Sequence, residues 1–141
     1  MKVLVTGGMG FVGTAIVRTI ARNHRVTVAD RLDFGIGPEI RDLVDEGIIE
    51  SIHTDVAEQS DLHKRIALEE FNVVVHLASR HFIPACEEDP VQAYHDNVLT
   101  TVSILKHLPE ASLMINFSSA AVYEPSMSPH CEDKSPLSPN D

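Results

Sequence analysis

Apolar residues in this chain fall into short runs separated by stretches of helical period. Lys2-Val3-Leu4-Val5-Thr6 is a β-rich run that stops at Gly7-Gly8, which predicts a short buried strand. Val12, Ala15, Ile16, Thr19 and Ile20 then recur at helical spacing, ending near Asn23. Arg25 to Ala29 reads as a second strand, closed by Asp30, and Pro38 to Glu46 as a short helix with its proline in the first turn. Ile48 to His53 is a third strand, Ser60 to Glu70 a third helix and Val73 to Leu77 a fourth strand. Asp89-Pro90 is a helix start, with Asp89 as N-cap and Pro90 at the first helical position. Val91, Tyr94, Val98, Val102 and Leu105 form the apolar stripe of that helix, and Leu113 to Phe117 is a fifth strand.

Strands that are apolar on both faces and alternate with helical segments call for a parallel sheet covered on two sides. The predicted class is therefore α/β, with right-handed crossovers giving a doubly wound order of 3-2-1-4-5. In such a sheet a ligand crevice opens at the carboxyl ends of strands one and four, where the order reverses. Residues 124–141 differ in character. This Pro- and Ser-rich stretch has no apolar period and reads as a loop.

Composition narrows the function. At 43% apolar and 23% charged residues, the chain is an ordinary globular one that can form a sizeable core. A net charge of −10 argues against partners that present phosphate backbones or anionic membranes. It does not exclude a small anionic ligand, since backbone amides hold phosphate whatever the net charge. Cys86 and Cys131 form no CxxC and read as reduced thiols, consistent with a cytoplasmic protein. No apolar run approaches the roughly 20 residues needed to span a bilayer. Eight histidines occur without a metal-ligand spacing, so no metal site is expected.

The chemistry starts at Thr6-Gly7-Gly8-Met9-Gly10-Phe11-Val12-Gly13, which follows strand one and opens the first helix. Gly7 permits a tight turn, Gly10 lets the backbone approach a pyrophosphate, and Gly13 allows close helix–strand packing. Amides at Phe11 and Val12 would take the phosphate charge. No GK[ST] follows, which excludes a nucleoside-triphosphatase loop. Asp30 ends strand two, 20 residues after Gly10. A carboxylate there accepts the ribose hydroxyls of an adenosine and repels a 2′-phosphate, favouring NAD, while Arg31 beside it leaves room for NADP. Residues 1–123 thus read as a Rossmann-type NAD-binding unit.

With these features placed, the chain resembles the extended short-chain dehydrogenase/reductase family, the NAD-dependent epimerases and dehydratases of nucleotide sugars. TGGMGFVG is similar to the family's TGGxGFIG. Thr54-Asp55-Val56 resembles its Gly-Asp-Ile/Val, which implies that Asp55 meets the adenine amino group and Val56 packs on the ring. His76-Leu77-Ala78-Ser79 resembles HLAA, implying that Leu77, Ala78 and Ser79 lie along the cofactor with His81 close by. Asp89-Pro90, Tyr94 and Asn97 to Thr101 resemble a P…Y..NNV.GT helix, in which Asp96 stands where many members place a cofactor-touching Asn or Thr. Phe117 to Tyr123 resembles FSSSATVYG, with Glu124 in place of its final Gly.

The resemblance makes Ser119 the catalytic serine, bonded to the sugar oxygen being oxidised and to the tyrosine of a YxxxK motif. That motif is missing here: Tyr94 is followed at +4 by Val98, and Tyr123 by Met127. A serine hydroxyl alone is too weak an acid to act as the base near neutral pH. The expectation is therefore the cofactor half of a longer enzyme, with residues 124–141 leading to a missing carboxyl-terminal half. Sugar 4,6-dehydratases carry Thr-Asp-Glu where this chain has Ala120-Ala121, so a 4-epimerase or a reductase is favoured. The expected substrate is a UDP- or dTDP-linked sugar, and relatives often form homodimers through the helix after strand four. The alternative is a dinucleotide-binding module without catalysis.

Overall fold

The computed structural model describes residues 1–58, 60–68, 70–119, 122, 123 and 137. Its sheet has five parallel strands, β1 (Lys2–Thr6), β2 (Arg25–Asp30), β3 (Ile49–His53), β4 (Val73–His76) and β5 (Leu113–Asn116). Their order is β3-β2-β1-β4-β5, the order read from the sequence. Pairing is in register, so that Thr6 lies beside both Ala29 and His76, and His76 beside Asn116. The carboxyl ends of β1, β2 and β4 therefore form one edge. Expected and observed strands agree to within a residue or two at their ends.

Alternation along β1 places Val3 and Val5 on one face and Leu4 on the other. Val3 and Val5 pack with Val17 of α1 (Phe11–Ile20), Ile40 of α2 (Pro38–Asp45), and Val26, Val28, Ile49 and Val75. Leu4 and Val74 pack with Leu62 and Ile66 of α3 (Asp61–Ala67), Phe71, and Ile104 of α6 (Thr100–His107). Two apolar layers thus sandwich β1, β2 and β4, as strands apolar on both faces require, whereas β5 leaves Leu113 and Ile115 exposed. A polar tie joins the second layer. The Ser60 amide donates to His63 Nδ1 at 3.2 Å, leaving Nε2–H to donate to Ser103 Oγ of α6 at 2.7 Å.

The segment after β4 departs from expectation. A short helix, α4 (Ile83–Glu88), precedes the expected start, and no apolar period marked it. Asp89 does cap the next helix, α5 (Pro90–Tyr94), by accepting from the Gln92 amide at 2.9 Å. A π-helical turn, His95–Leu99, then joins α5 to α6. The core side of α6 carries Thr100 and Ile104. The stripe of Val91, Tyr94, Val98, Val102 and Leu105 faces outward instead, with Val102 at 51% exposure against 0% for Ile104. The third helix is shorter than expected, closing at Ala67. Most of the Pro- and Ser-rich stretch, 124–141, lies outside the described residues, as do Cys131, Ala120 and Ala121. Tyr123 makes an isolated antiparallel bridge with Leu137.

Two positions on α6 give a direct check of this orientation. Ile104→Ala should lower the unfolding free energy by roughly 2–5 kcal/mol, and Val102→Ala by less than about 0.5 kcal/mol. Urea denaturation of both variants at low protein concentration measures the pair. Equal losses would mean that α6 presents the other face to the sheet.

Candidate functional site

The glycine turn is built by contacts that leave no space for side chains. Gly7 has φ of +69°, and a Cβ there would sit 2.8 Å from the Ala78 nitrogen. A Cβ on Gly13 would lie 2.4 Å from the Gly7 carbonyl oxygen, so α1 meets the turn backbone to backbone. Gly10 is different. Within 4 Å its Cβ would meet only the Gly7 oxygen, at 3.3 Å, and would otherwise project into open space. Gly10 is also the N-cap of α1, without a capping side chain, and Thr14 is the first amide to bond back to it, at 2.9 Å. The amides of Phe11, Val12 and Gly13 precede that bond and have no intrahelical acceptor. The result is an open cradle of backbone donors at the positive end of a helix, suited to a pyrophosphate. Phe11 and Val12 point away from the core, Phe11 at 96% exposure.

Asp30 stands beside this cradle. Its Oδ2 accepts from the Met9 amide at 3.0 Å and its Oδ1 from the Leu32 amide at 2.9 Å. Those bonds fix the carboxylate between the glycine turn and the loop after β2. Each oxygen keeps a further lone pair for a ligand hydroxyl. Leu32 pays for this geometry with a left-handed backbone, φ 57°. Asp55 follows β3 and forms its own turn, accepting from the Ala57 amide at 2.8 Å, while Val56 is packed into the second apolar layer.

Arg31 reaches across the edge to Asp96, in the π-helical turn, with Nη1–Oδ1 at 2.7 Å and Nη2–Oδ2 at 3.2 Å. Arg80, just after β4, donates to the same carboxylate at 3.0 Å, and Gln92 does so at 2.8 Å. Burial pushes the Asp96 carboxyl up, but the bonds from Arg31, Gln92 and Arg80 outweigh it and hold the group well below the usual carboxylate range. Asp55, His95 and Asp96 come within 4.8 Å of one another. The two guanidinium groups already supply the positive charge at that point.

At the end of β4, His76 is buried and bonded on both ring nitrogens, Nδ1 to Thr6 Oγ1 at 2.6 Å and Nε2 to Thr101 Oγ1 at 3.0 Å. Thr6 Oγ1 also accepts from the Ala78 amide at 3.4 Å. This chain of bonds ties β1, β4 and α6 together directly beneath the glycine turn. Thr6 and Thr101 enter the sequence reading only as members of motifs, and Arg80 not at all; the partners of these three stand 70, 25 and 16 residues away. Leu77 and Ala78 are half-buried along the crevice, Ser79 and His81 exposed at its rim. Ser119 is exposed just beyond β5, on the same carboxyl edge, and its carbonyl accepts from the Val122 amide at 3.3 Å.

A doubly wound sheet with a glycine cradle at its switch point and an acid closing β2 defines a dinucleotide-binding α/β protein. Comparison with known proteins places it within that class. The model of the NAD dependent epimerase/dehydratase family matches residues 3–141, and the chain belongs to that family. It is 34% identical to the UDP-glucose 4-epimerase of Corynebacterium glutamicum over 139 residues, covering 94% of this chain and 40% of that protein. The UDP-Glc/GlcNAc 4-epimerase from Campylobacter jejuni superposes with a TM-score of 0.82 at 25% identity, over 98% of this chain and 43% of that one. The UDP-glucuronic acid 4-epimerase from Bacillus cereus, solved with UDP-glucuronic acid and NAD, gives 0.77 at 27% identity, over 94% of this chain and 45% of that one. The chain thus spans less than half the length of these relatives.

Burial of His76 lowers its pKa to about 4. The folded chain therefore refuses a proton that the unfolded chain takes up near pH 6.5. Stability should be full above pH 6.5 and fall as pH drops through the window from 6.5 to 4, by roughly 3 kcal/mol from this group. Urea melts across that window should show a flatter profile for His76→Gln than for the parent. Parallel profiles would show that His76 does not set the acid limb.

Proposed function

We propose that this chain is the NAD-binding portion of a nucleotide-sugar 4-epimerase, an oxidoreductase that moves hydride out of and back to one sugar carbon. The observation carrying the reading is the open backbone cradle at Gly10, Phe11, Val12 and Gly13, with the Asp30 carboxylate hydrogen-bonded to its rim at Met9. The donor set fits the two ends of a dinucleotide's adenosine diphosphate moiety: amides toward pyrophosphate, carboxylate toward ribose hydroxyls. Asp55 and Val56 would border the adenine, and Leu77, Ala78, Ser79 and His81 the stretch toward the nicotinamide. NAD, when bound, supplies a hydride acceptor.

Ser119 is assigned to the sugar end. Its position past the end of β5, level with the ends of β1 and β4, supports a hydroxyl that orients the reacting sugar oxygen by a hydrogen bond. Deprotonation there needs a stronger base than serine, and neither tyrosine of this sequence stands four residues before a lysine. Names of the relatives favour a UDP-linked sugar as substrate. The acidic surface, net charge −10, supports a small anionic ligand over a nucleic acid, and no helix among the described residues is long and apolar enough to cross a membrane. We assign the protein to the cytoplasm on its unpaired Cys86 and place a homodimer contact on the outward stripe of α5 and α6. Contiguous apolar faces of this kind mark association surfaces.

Two experiments test these assignments. By isothermal titration of NAD, Asp30→Ala should bind about 10–150-fold more weakly than the parent, the loss of a charge-assisted hydrogen bond. Gly10→Val should abolish measurable binding, and a Gly10→Val chain that binds like the parent would refute the cradle. For the dimer, sedimentation of the parent should show a concentration-dependent dimer that Val102→Asp converts to monomer. A parent that stays monomeric at every concentration would remove the interface.

A further inference from the structure

An arginine directly after the strand-two acid is placed to receive an adenosine 2′-phosphate, and Arg31 occupies that place next to Asp30. Its guanidinium is not free to turn toward a ligand. Both terminal nitrogens are engaged by Asp96 in a bidentate fork at 2.7 and 3.2 Å, Nη2 also meets Asp33 at 3.0 Å, and Nη1 lies 3.5 Å from Asp55. Asp96 is the only one of these three carboxylates that is nearly fully enclosed, at 3% exposure. Its other bonds run to Arg80 at 3.0 Å and Gln92 at 2.8 Å, which anchor it to the loop after β4 and to α5, and to the neighbouring His95 Nδ1 at 3.3 Å.

A planar fork bound to a buried carboxylate is a strong, directional pair. Freeing Arg31 would strand that carboxylate with fewer donors in a place that water does not reach, at a substantial cost. Charge points the same way. Asp33, Asp55 and Asp96 all lie against Arg31, and Arg80 pairs with Asp96; with Asp30 next to Arg31 in the chain, carboxylates outnumber these two guanidinium groups and a dianionic 2′-phosphate would meet a surplus of negative charge.

We propose that Asp96 is a positioning residue that sets cofactor preference: by clamping Arg31 it withholds the one guanidinium beside Asp30 from a 2′-phosphate and keeps the site selective for the free 2′-hydroxyl of NAD. The inference rests on the cofactor site proposed above. It turns an arginine that would otherwise admit NADP into part of the barrier against it.

The test is calorimetric titration of the 141-residue chain with NAD and with NADP, so that the readout is binding and not turnover. Asp96→Asn keeps the shape of the side chain and removes the charge that holds Arg31. It should raise the affinity for NADP relative to NAD by about 10-fold or more, and the double variant Asp96→Asn/Arg31→Gln should return the ratio to near the parent's. An unchanged ratio in a folded Asp96→Asn that still binds NAD overturns this inference and leaves the cofactor site standing. A parent that binds neither dinucleotide overturns both. Should Asp96→Asn fail to fold, as judged by circular dichroism, Arg31→Gln decides the matter, because Arg80 and Gln92 still hold Asp96. If Arg31 is withheld from the phosphate, that variant keeps the parent's NADP-to-NAD ratio within about threefold. A tenfold or greater selective loss of NADP binding would show that Arg31 already reads the phosphate, and would overturn the proposal.

Discussion

Backbone meets backbone between Gly7 and Gly13, and the carboxyl edge of the sheet depends on that contact. Any side chain at Gly13 would come within 2.4 Å of the Gly7 oxygen, and one at Gly7 would strike Ala78. With both positions bare, the first turn of α1 lies against the ends of β1 and β4, and its free amides face the crevice between them. Asp30 then falls within reach of the Met9 amide, so the backbone cradle and the Asp30 carboxylate are fixed to each other and not merely to the sheet. A dinucleotide needs both groups at once, and a rigid spacing between them reduces the ordering cost of binding.

Beneath and beside this turn the chain uses polar ties where a Rossmann core would otherwise be wholly apolar. Thr6, His76 and Thr101 form a buried chain of hydrogen bonds across β1, β4 and α6. Asp96 gathers Arg31 and Arg80 from the loops that follow β2 and β4. Buried charges persist only when paired and hydrogen-bonded, and Asp96 satisfies that with partners drawn from both sides of the crevice. The loops that border the proposed cofactor site are thus held by electrostatics, while the strands below them are held by packing.

Much of this architecture is legible in the sequence, because strands apolar on both faces, a glycine turn and a terminal acid are local signals. The sheet order follows from them once crossover handedness is imposed. Asp89 and Pro90 likewise announce a helix start correctly. What the sequence conceals is of two kinds. Helical periodicity identifies Val91 to Leu105 as a stripe but does not say which way it faces, and Thr100 and Ile104 take the core positions of α6. Long-range polar pairing is the other. Arg31 is 65 residues from Asp96, and only the fold brings them together, so the two arginine partners of Asp96 are invisible in the sequence.

The most direct test of the central claim, that the glycine cradle and Asp30 together form the dinucleotide site, is amide chemical-shift mapping of the isotopically labelled chain during an NAD titration. The account predicts that the largest shifts fall on Gly7 to Gly13, on Asp30 to Leu32 and on Leu77 to Ser79, all at the carboxyl edge. Shifts centred on the opposite edge of the sheet, around Lys2, Arg25 and Asn72, or no shifts at saturating NAD, would contradict it.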